Sequence, residues 1–252
     1  MALDIAPNGG RTARRLAWIV VALAGLPSGA RPGIAQTTSR GIEHDVGLWF
    51  TALAQGSFAP LSPDLTNLLW WLEGQARFLD DSDFDQALIR PALGWAFAVK
   101  VSAWLGYTYV HTDAPGRVQF DEQQVWQQFL WSTRFAAVGF TTRTRLEERF
   151  LSTGSDVGWL LRQFFKATYP FGSRSRLGLA GFEEAFFNLN DTDWGATSGF
   201  AQNRLFVGLY WRIDEKPRTT LEAGYMNQYL NNIGRRDRMN NILMMNFLLN
   251  LN

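Results

Sequence analysis

Residues 143 to 149 carry five charged side chains in seven positions, and four of the five share a two-residue spacing. The two-residue period of a β-strand places on one face Arg143, Arg145, Glu147 and Arg149. Leu146 and Phe150 fall on the opposite face. Such a strand does not suit the apolar interior of a soluble sandwich. It fits a barrel with a wet interior and a wall that faces lipid.

Other segments add charges to the same predicted face, so that a polar network spans the interior. Its candidate members are Glu73, Arg77, Arg90, Glu122, Gln128, Arg143, Arg145, Glu147, Arg149, Arg162, Glu184, Arg204 and Glu222. These side chains either pair and brace the barrel, or line a path that favours anions. The near balance of arginine and glutamate favours bracing, although a paired lumen can still leave a narrow water channel.

Catalysis is the second chemistry to consider. His111 ends a predicted strand beside Thr112 and Asp113, which fits a base with an orienting carboxylate but more often marks the start of a loop. No well-placed serine nucleophile accompanies it, so we predict that the protein is not an enzyme. No metal-ligand spacing or phosphate loop is present, and no cofactor is expected. The acidic stretch 190–195 could contact lipopolysaccharide or calcium, but it also fits a solvated loop.

Alternating segments must position these charges, and eleven of them can be counted. They are 48–54, 65–79, 84–99, 101–110, 119–131, 140–150, 157–169, 176–189, 202–213, 219–228 and 240–251. Their connections alternate between short turns and longer polar loops, as in outer-membrane barrels. Single-chain bacterial barrels normally have an even number of strands. We therefore predict an all-β, transmembrane, antiparallel up-and-down barrel of about 12 strands, with 10 as the alternative. Glu183 falls on an apolar face, which predicts a β-bulge there.

The N-terminus has the pattern of a secretory signal peptide. Arg11, Arg14 and Arg15 precede the apolar run 16–26, and small residues allow cleavage between Ala35 and Gln36. We expect residues 1–35 to be removed and residues 36–252 to form one domain. Four of the 24 basic residues and one of the 23 acidic residues lie in the predicted signal peptide. No basic excess remains to favour nucleic acid.

The remaining composition is typical of a strand-built membrane protein. The chain has 11 Trp, 19 Phe and 6 Tyr but no Cys, so neither a disulfide framework nor a thiolate metal site is expected. A secreted β-sandwich or lipocalin-like barrel would show the same alternation. Charged and bulky side chains on nearly every polar face favour the membrane barrel, as do aromatic residues near segment ends.

Several motifs occur together along the chain and carry a family resemblance. They are 90–95 (Arg-Pro-Ala-Leu-Gly-Trp), 103–107 (Ala-Trp-Leu-Gly-Tyr), 143–149, 184–188 (Glu-Ala-Phe-Phe-Asn), 202–205 (Gln-Asn-Arg-Leu) and 223–225 (Ala-Gly-Tyr). The chain resembles the family known as domain of unknown function 2490, Gram-negative outer-membrane β-barrels of no established activity. The resemblance implies the fold and the location, and it supplies no activity.

Together these patterns predict a porin-like barrel exported to the bacterial outer membrane. The predicted function is that of a structural barrel or a narrow passive channel with a salt-bridged lumen. A lipid-modifying enzyme and a protein that binds through its surface loops are the alternatives. The expected partners are outer-membrane lipid and lipopolysaccharide, and the barrel-assembly machinery during biogenesis. No nucleic acid is expected, and the sequence leaves the oligomeric state open.

Overall fold

The structure is a computed structural model that describes residues 41–79, 83–114, 118–214, 218–233 and 236–251. The predicted signal peptide 1–35 and its cleavage position lie outside these described residues. No helix in the described ranges is long and apolar enough to span a membrane.

Alternating sequence becomes strand throughout the described part of the chain, which contains eleven β-strands and one short 3-10 helix, Pro63–Leu65. The strands are β1 (Glu43–Ser57), β2 (Leu68–Leu79), β3 (Asp83–Ala98), β4 (Val101–Thr112), β5 (Phe120–Phe135), β6 (Val138–Leu151), β7 (Val157–Pro170), β8 (Leu177–Asn188), β9 (Gly199–Arg212), β10 (Thr219–Leu230) and β11 (Arg238–Asn250). The helix lies in the connection between β1 and β2.

The strands form one closed barrel in sequence order. Consecutive strands are antiparallel, whereas β1 and β11 close the ring as a parallel pair. The prediction of an all-β, up-and-down barrel is therefore confirmed. Twelve strands, and the alternative of ten, are wrong: β1 pairs directly with β11 over thirteen positions, from Glu43↔Arg238 to Gln55↔Asn250, and leaves no gap among the described strands.

The odd number follows from the parallel seam. In an up-and-down barrel the strand direction reverses at each step, so an odd number brings the first and last strands together in the same direction. The usual even number rests on an antiparallel closure, and the register of β1 with β11 removes that requirement here. As a consequence, β1 begins at one end of the barrel and β11 finishes at the other.

The strands are strongly tilted, as closure of a barrel requires. From Trp49 the register leads through β2, β3 and β4 to Phe120 on β5. In the other direction it leads through β11 down to β6 and reaches Arg134 on the same strand. This stagger packs side chains from distant strands side by side inside the barrel.

The two ends of the barrel differ. The hairpin end carries the connections β1–β2, β3–β4, β5–β6, β7–β8 and β9–β10, of which β3–β4 and β5–β6 are tight turns. The loop end carries the other connections, including the long β8–β9 segment 189–198. The β1–β2 connection, with its helix, departs from the predicted pattern of short turns at one end.

The predicted bulge at Glu183 is also wrong in its position. Glu183 keeps the regular alternation of β8, pairs in register with Leu205 and points outward. The register of β8 with β9 shifts instead between Phe186 and Phe187. An outward glutamate is tolerated without a bulge because Asn203 Nδ2 on β9 donates to Glu183 Oε1 at 3.1 Å.

Candidate functional site: the charged barrel interior

The centre of the interior is a chain of ion pairs that begins on β6. Arg145 and Glu147 are 0% and 1% exposed, and Arg145 Nη1 lies 3.4 Å from Glu147 Oε1. Glu147 Oε1 also accepts from Arg162 Nη1 at 2.6 Å. Arg145 donates its Nε and Nη2 to Gln128 Oε1 at 2.9 and 2.6 Å. These contacts fix the four side chains across β5, β6 and β7.

Glu184 continues this chain and collects three arginines. Arg162 donates through Nε and Nη2 to Glu184 Oε1 at 3.1 and 2.8 Å, and Arg143 Nη2 donates to the same oxygen at 2.6 Å. Arg204 Nη1 lies 3.9 Å from the other oxygen, Oε2. Three guanidinium groups around one carboxylate leave local positive charge, even though Arg162 also pairs with Glu147.

A second cluster connects β2, β3 and β4. Arg90 Nη1 donates to Glu73 Oε1 at 2.8 Å, and its Nε donates to the hydroxyl of Thr108 at 2.9 Å. Trp71 Nε1 donates to the other oxygen, Glu73 Oε2, at 3.1 Å. The indole of Trp126 shares Thr108 as an acceptor at 3.0 Å. Here the buried carboxylate is satisfied by both an ion pair and an indole, as a buried charge requires.

Further ion pairs lie towards each end. Arg149 forms a bidentate pair with Glu122, in which Nε donates to Oε1 at 2.5 Å and Nη2 donates to Oε2 at 2.9 Å. Lys166 pairs with Glu222 across the barrel. Bidentate arginine–carboxylate pairs of this kind are among the strongest charged hydrogen bonds in proteins.

Aromatic rings support the guanidinium groups. Arg145 lies 3.9 Å from the ring centroid of Trp126, and Arg204 lies between Trp49 and Phe186 at 4.9 and 4.6 Å. Cation–π contacts gain strength where water is excluded. Guanidinium groups and aromatic rings therefore pack against each other inside the barrel.

Glycines on the inner face make room for these rings. Gly106 pairs in register with Trp126, and Gly94 with Trp104. A Cβ atom at Gly106 would stand 2.1 Å from Trp126 Cζ2, and one at Gly94 would stand 2.5 Å from Trp104. Each indole therefore lies flat on the backbone of the adjacent strand.

Two cavities lie along the barrel axis. The hairpin chamber, of about 930 Å³, lies on the hairpin side, and the loop chamber, of about 480 Å³, lies on the loop side. Trp49, Arg90 and Arg162 line both cavities and so form part of the partition between them.

The β8–β9 loop lines part of the loop chamber through Trp194, Gly195 and Ala196. Asp193 Oδ2 accepts from the backbone N–H and the hydroxyl of Ser155, both at 2.8 Å, and Trp194 Nε1 donates to the carbonyl of Asp156 at 2.9 Å. These donors hold the pKa of Asp193 below its ordinary value, the Ser155 backbone N–H contributing most. The Trp194 ring lies against Gly158, where a Cβ atom would stand 2.4 Å from it.

His111 lies on the outer face at the loop end, away from the interior. Its Nδ1 is 2.8 Å from Asp121 Oδ1, and its Nε2 is 3.1 Å from Gln119 Nε2. The carboxylate beside it is therefore Asp121 rather than the adjacent Asp113. The side chain of Ser152 reaches only the backbone N–H of Asp121, at 3.0 Å. Both ring nitrogens of His111 are thus occupied by groups other than a serine hydroxyl.

The structure places all thirteen candidate network residues on the inner wall and connects most of them. Gln75 and Gln86, rather than a glutamate, accept from Arg77. Sequence reasoning missed Trp49, Thr108, Lys166 and Phe186 as members. Lys166 shares the two-residue spacing of Arg162 and could have been included on that ground. Thr108 and the rings carry no charge, so their role depends on contacts that the spacing does not reveal.

No group of three or more His, Cys, Asp or Glu side chains in the described ranges is placed to hold a metal ion.

Comparison with known proteins identifies the family. Residues 46–240 match the family described as "Protein of unknown function (DUF2490)". An uncharacterized protein of Methylorubrum extorquens is 36% identical over 149 residues, which cover 58% of this chain and 64% of that protein. The chain thus spans less than two thirds of that relative, and no solved structure matches it. The family match confirms the resemblance carried by the sequence motifs: this chain belongs to the DUF2490 family of proteins of unknown function.

Proposed function

We propose that the protein is an outer-membrane β-barrel whose interior is sealed by its own ion pairs, so that it is a closed structural barrel rather than a channel. The observation that carries this proposal is the inversion of the two faces. Charged side chains such as Arg145 and Glu147 are buried inside, while large apolar side chains on every strand point out and are exposed. A water-soluble barrel gains stability from the opposite arrangement.

Aromatic residues form two rings on the outer wall, which supports the membrane proposal. Near the hairpin end lie Trp70, Trp95, Trp131, Phe140, Tyr169 and Trp211, each within four residues of a strand terminus. Near the loop end lie Phe78, Phe84, Phe150, Trp159, Phe187 and Tyr229. Paired aromatic girdles bracket the apolar band of outer-membrane barrels.

The outer wall also has polar positions, and they are paired with one another. Glu183 accepts from Asn203, and Glu148 accepts from Gln127 at 3.4 Å. Pairing of this kind lowers the cost of polar groups in hydrocarbon. If the wall faces lipid, Glu183→Leu is expected to stabilise the folded barrel in bilayers by about 1–2 kcal/mol. If the wall faces water, the same change adds exposed apolar surface and lowers solubility.

Cell fractionation tests the location. Expressed in a Gram-negative host, the protein is expected in the outer-membrane fraction after an alkaline wash, and to require detergent for extraction. Recovery as a soluble periplasmic protein would contradict the proposal. Lipid and lipopolysaccharide would then also be excluded as its surroundings, and the assembly machinery as its route.

Planar-bilayer recording separates the closed barrel from the narrow passive channel. The interior space is divided into two cavities that meet at Trp49, Arg90 and Arg162, and the pair Arg145–Glu147 is fully buried, which supports a closed interior. We expect no stepwise conductance at several hundred millivolts from protein shown to be inserted. Regular ohmic steps would establish the channel instead.

We further propose that the protein is not an enzyme. His111 contacts Asp121 and Gln119 on the outer face, and no serine hydroxyl contacts its ring among the described residues. His111→Ala is expected to leave the lipid composition of the host outer membrane unchanged relative to the wild type. A lipid modification that appears with the wild type and disappears with His111→Ala would show a lipid-modifying enzyme.

A further inference from the structure

The hairpin chamber differs from an ordinary polar barrel interior because part of its wall is apolar. Leucine and aromatic side chains from six strands contribute to it: Leu53, Trp71, Trp104, Leu130, Phe164 and Phe182. Trp71 and Trp104 pack edge to face with ring centroids 5.7 Å apart, and Phe164 and Phe182 lie 5.2 Å apart. The volume of about 930 Å³ falls in the range of small-molecule sites.

Positive charge predominates in the same lining. The described residues that line the chamber include six cations: Arg90, Lys100, Arg143, Arg162, Lys166 and Arg204. Three carboxylates accompany them, those of Glu73, Glu184 and Glu222. A concave site with low-dielectric walls and an excess of one sign attracts the opposite charge.

Unpaired donors mark where that opposite charge would bind. Arg143 is held by Glu184 through Nη2 and lies 4.5 Å above the ring of Phe164, while its buried Nε has no hydrogen-bond partner in the described residues. The indole Nε1 of Trp49 is likewise unpaired, and Trp49 is only 3% exposed. Leaving a buried donor unpaired costs about 1–3 kcal/mol. Both residues line the hairpin chamber, Trp49 where it meets the loop chamber, and the unpaired oxygens of Thr51 and Asn246 belong to the same lining. The two donors therefore support an acceptor ligand only together with the excess of cations.

The rim of the chamber is suited to an amphiphile. The end of β3 and the β3–β4 turn line the chamber with Phe97, Val99 and Lys100, and the large apolar side chains of Phe97 and Val99 are exposed. A hydrocarbon chain would meet apolar side chains there, and an anionic group would meet the Lys100 ammonium before it reaches the arginines.

We propose that the hairpin chamber is a binding site for a single-chain amphiphilic anion, with its head group on Arg143 and Trp49 and its alkyl chain along the apolar wall. The proposal depends on the cavity and its charges, and not on the membrane location. A cationic amphiphile would be repelled by the excess of arginine and lysine side chains. The ligand class is therefore a carboxylate, phosphate or sulfate on an alkyl chain.

Cysteine protection tests the site, because the chain has no cysteine. Ser132→Cys places a thiol on the lining of the hairpin chamber, and Ala196→Cys places one on the lining of the loop chamber. Both side chains are half-buried. The rate of modification by a water-soluble thiosulfonate is measured with decanoate or with decyltrimethylammonium, below their micelle concentrations. The protein is held in nanodiscs, or in water if it proves soluble.

Decanoate is expected to slow modification of Ser132→Cys and to leave Ala196→Cys unaffected, and decyltrimethylammonium is expected to protect neither. Arg143→Gln should weaken the protection by about tenfold, since a charged hydrogen bond is lost. Arg143→Lys should retain part of the protection.

Equal protection by the two amphiphiles, or protection of neither thiol, would overturn the proposal. So would full protection in Arg143→Gln. If Arg143→Gln fails to fold, the comparison of the two amphiphiles on the wild-type background decides.

Free fatty acids and lysophospholipids share this chemistry. Decanoate and decanoyl lysophosphatidate distinguish the two sources, because the phosphomonoester carries more charge towards the guanidinium groups around Glu184. Stronger protection by either compound supports the site and assigns its preferred head group.

Discussion

The two chambers share a partition but differ in their linings, and this difference separates stability from binding. In the loop chamber, amide side chains bond to neighbouring polar side chains: Asn240 donates to the amide oxygen of Gln228 at 2.9 Å, and Gln86 donates to the hydroxyl of Thr112 at 2.8 Å. Its unpaired buried atoms include the amide oxygens of Gln124 and Asn240. The hairpin chamber is lined by more apolar side chains, among them Leu53, Leu69 and Leu130, and has an unpaired guanidinium N–H on Arg143.

The contrast indicates two roles for the same kind of residue. Arginines at the partition, such as Arg145 and Arg162, are saturated by Glu147, Gln128 and Glu184 and therefore brace the barrel. Arg143 lines the hairpin chamber, and its Nε has no hydrogen-bond partner among the described residues.

Removing the central carboxylate should have the largest effect. Glu147→Ala leaves Arg145 and Arg162 buried beside each other without the carboxylate that both contact. We expect a loss of about 3–5 kcal/mol in the free energy of unfolding, because removing one partner of a buried ion pair leaves the other charge buried without a counter-charge. Urea titration of the reconstituted protein measures it. Glu148→Gln, one residue away on the opposite face, is the control and should stay within about 0.5 kcal/mol. Equal effects of the two changes would show that the partition does not stabilise the barrel.

Filling the space under an indole should have an intermediate effect. Gly106→Ala forces Trp126 away from the backbone and away from Arg145 and Thr108, at a cost of about 1–3 kcal/mol. Gly74→Ala is the matched control, because the nearest atom to its new Cβ would be Leu88 O at 3.9 Å. Unfolding midpoints of the two variants give the comparison. A neutral Gly106→Ala would mean that the ring is free to move.

The β8–β9 loop should respond to acid, with a smaller effect. The pKa of Asp193 is lowered by its donors in the folded loop, so the stabilisation is present above the unfolded value of about 3.9 and is lost as pH falls through the folded value. We expect Trp194 fluorescence and protease resistance of the loop to decrease below about pH 4. Asp193→Asn should loosen the loop at neutral pH and abolish the acid transition. A transition that persists in Asp193→Asn would assign it to another group.

The faces of the strands could be predicted from sequence because the side-chain period is fixed by the pleat. The inward positions of Glu73, Arg145 and Glu222 followed from alternation alone. The seam could not be predicted in this way. Eleven segments were countable, yet the direction of the β1–β11 pairing depends on a register between residues almost 200 positions apart.

The sequence predicted which charged residues line the interior, but not how they pair with one another. The sequence indicated balanced charges and therefore bracing, and the structure shows an uneven distribution: three arginines share Glu184, while Glu73 has one arginine partner and one indole donor. That unevenness arises from the register of neighbouring strands, which aligns Arg143, Phe164, Glu184 and Arg204 in one row across β6 to β9. Alternation along a single strand carries no information about it.

The most direct test of the sealed membrane barrel uses the two cysteine variants in proteoliposomes. An impermeant anionic thiosulfonate is added outside, and the labelled fractions of Ser132→Cys and Ala196→Cys are measured before and after the vesicles are opened. If the partition seals a barrel that spans the bilayer, each thiol reacts from one side only. The two fractions measured outside then add up to about one, whatever the mixture of orientations. Complete labelling of both variants from outside would contradict the account, because it requires an open lumen or a barrel that does not cross the membrane.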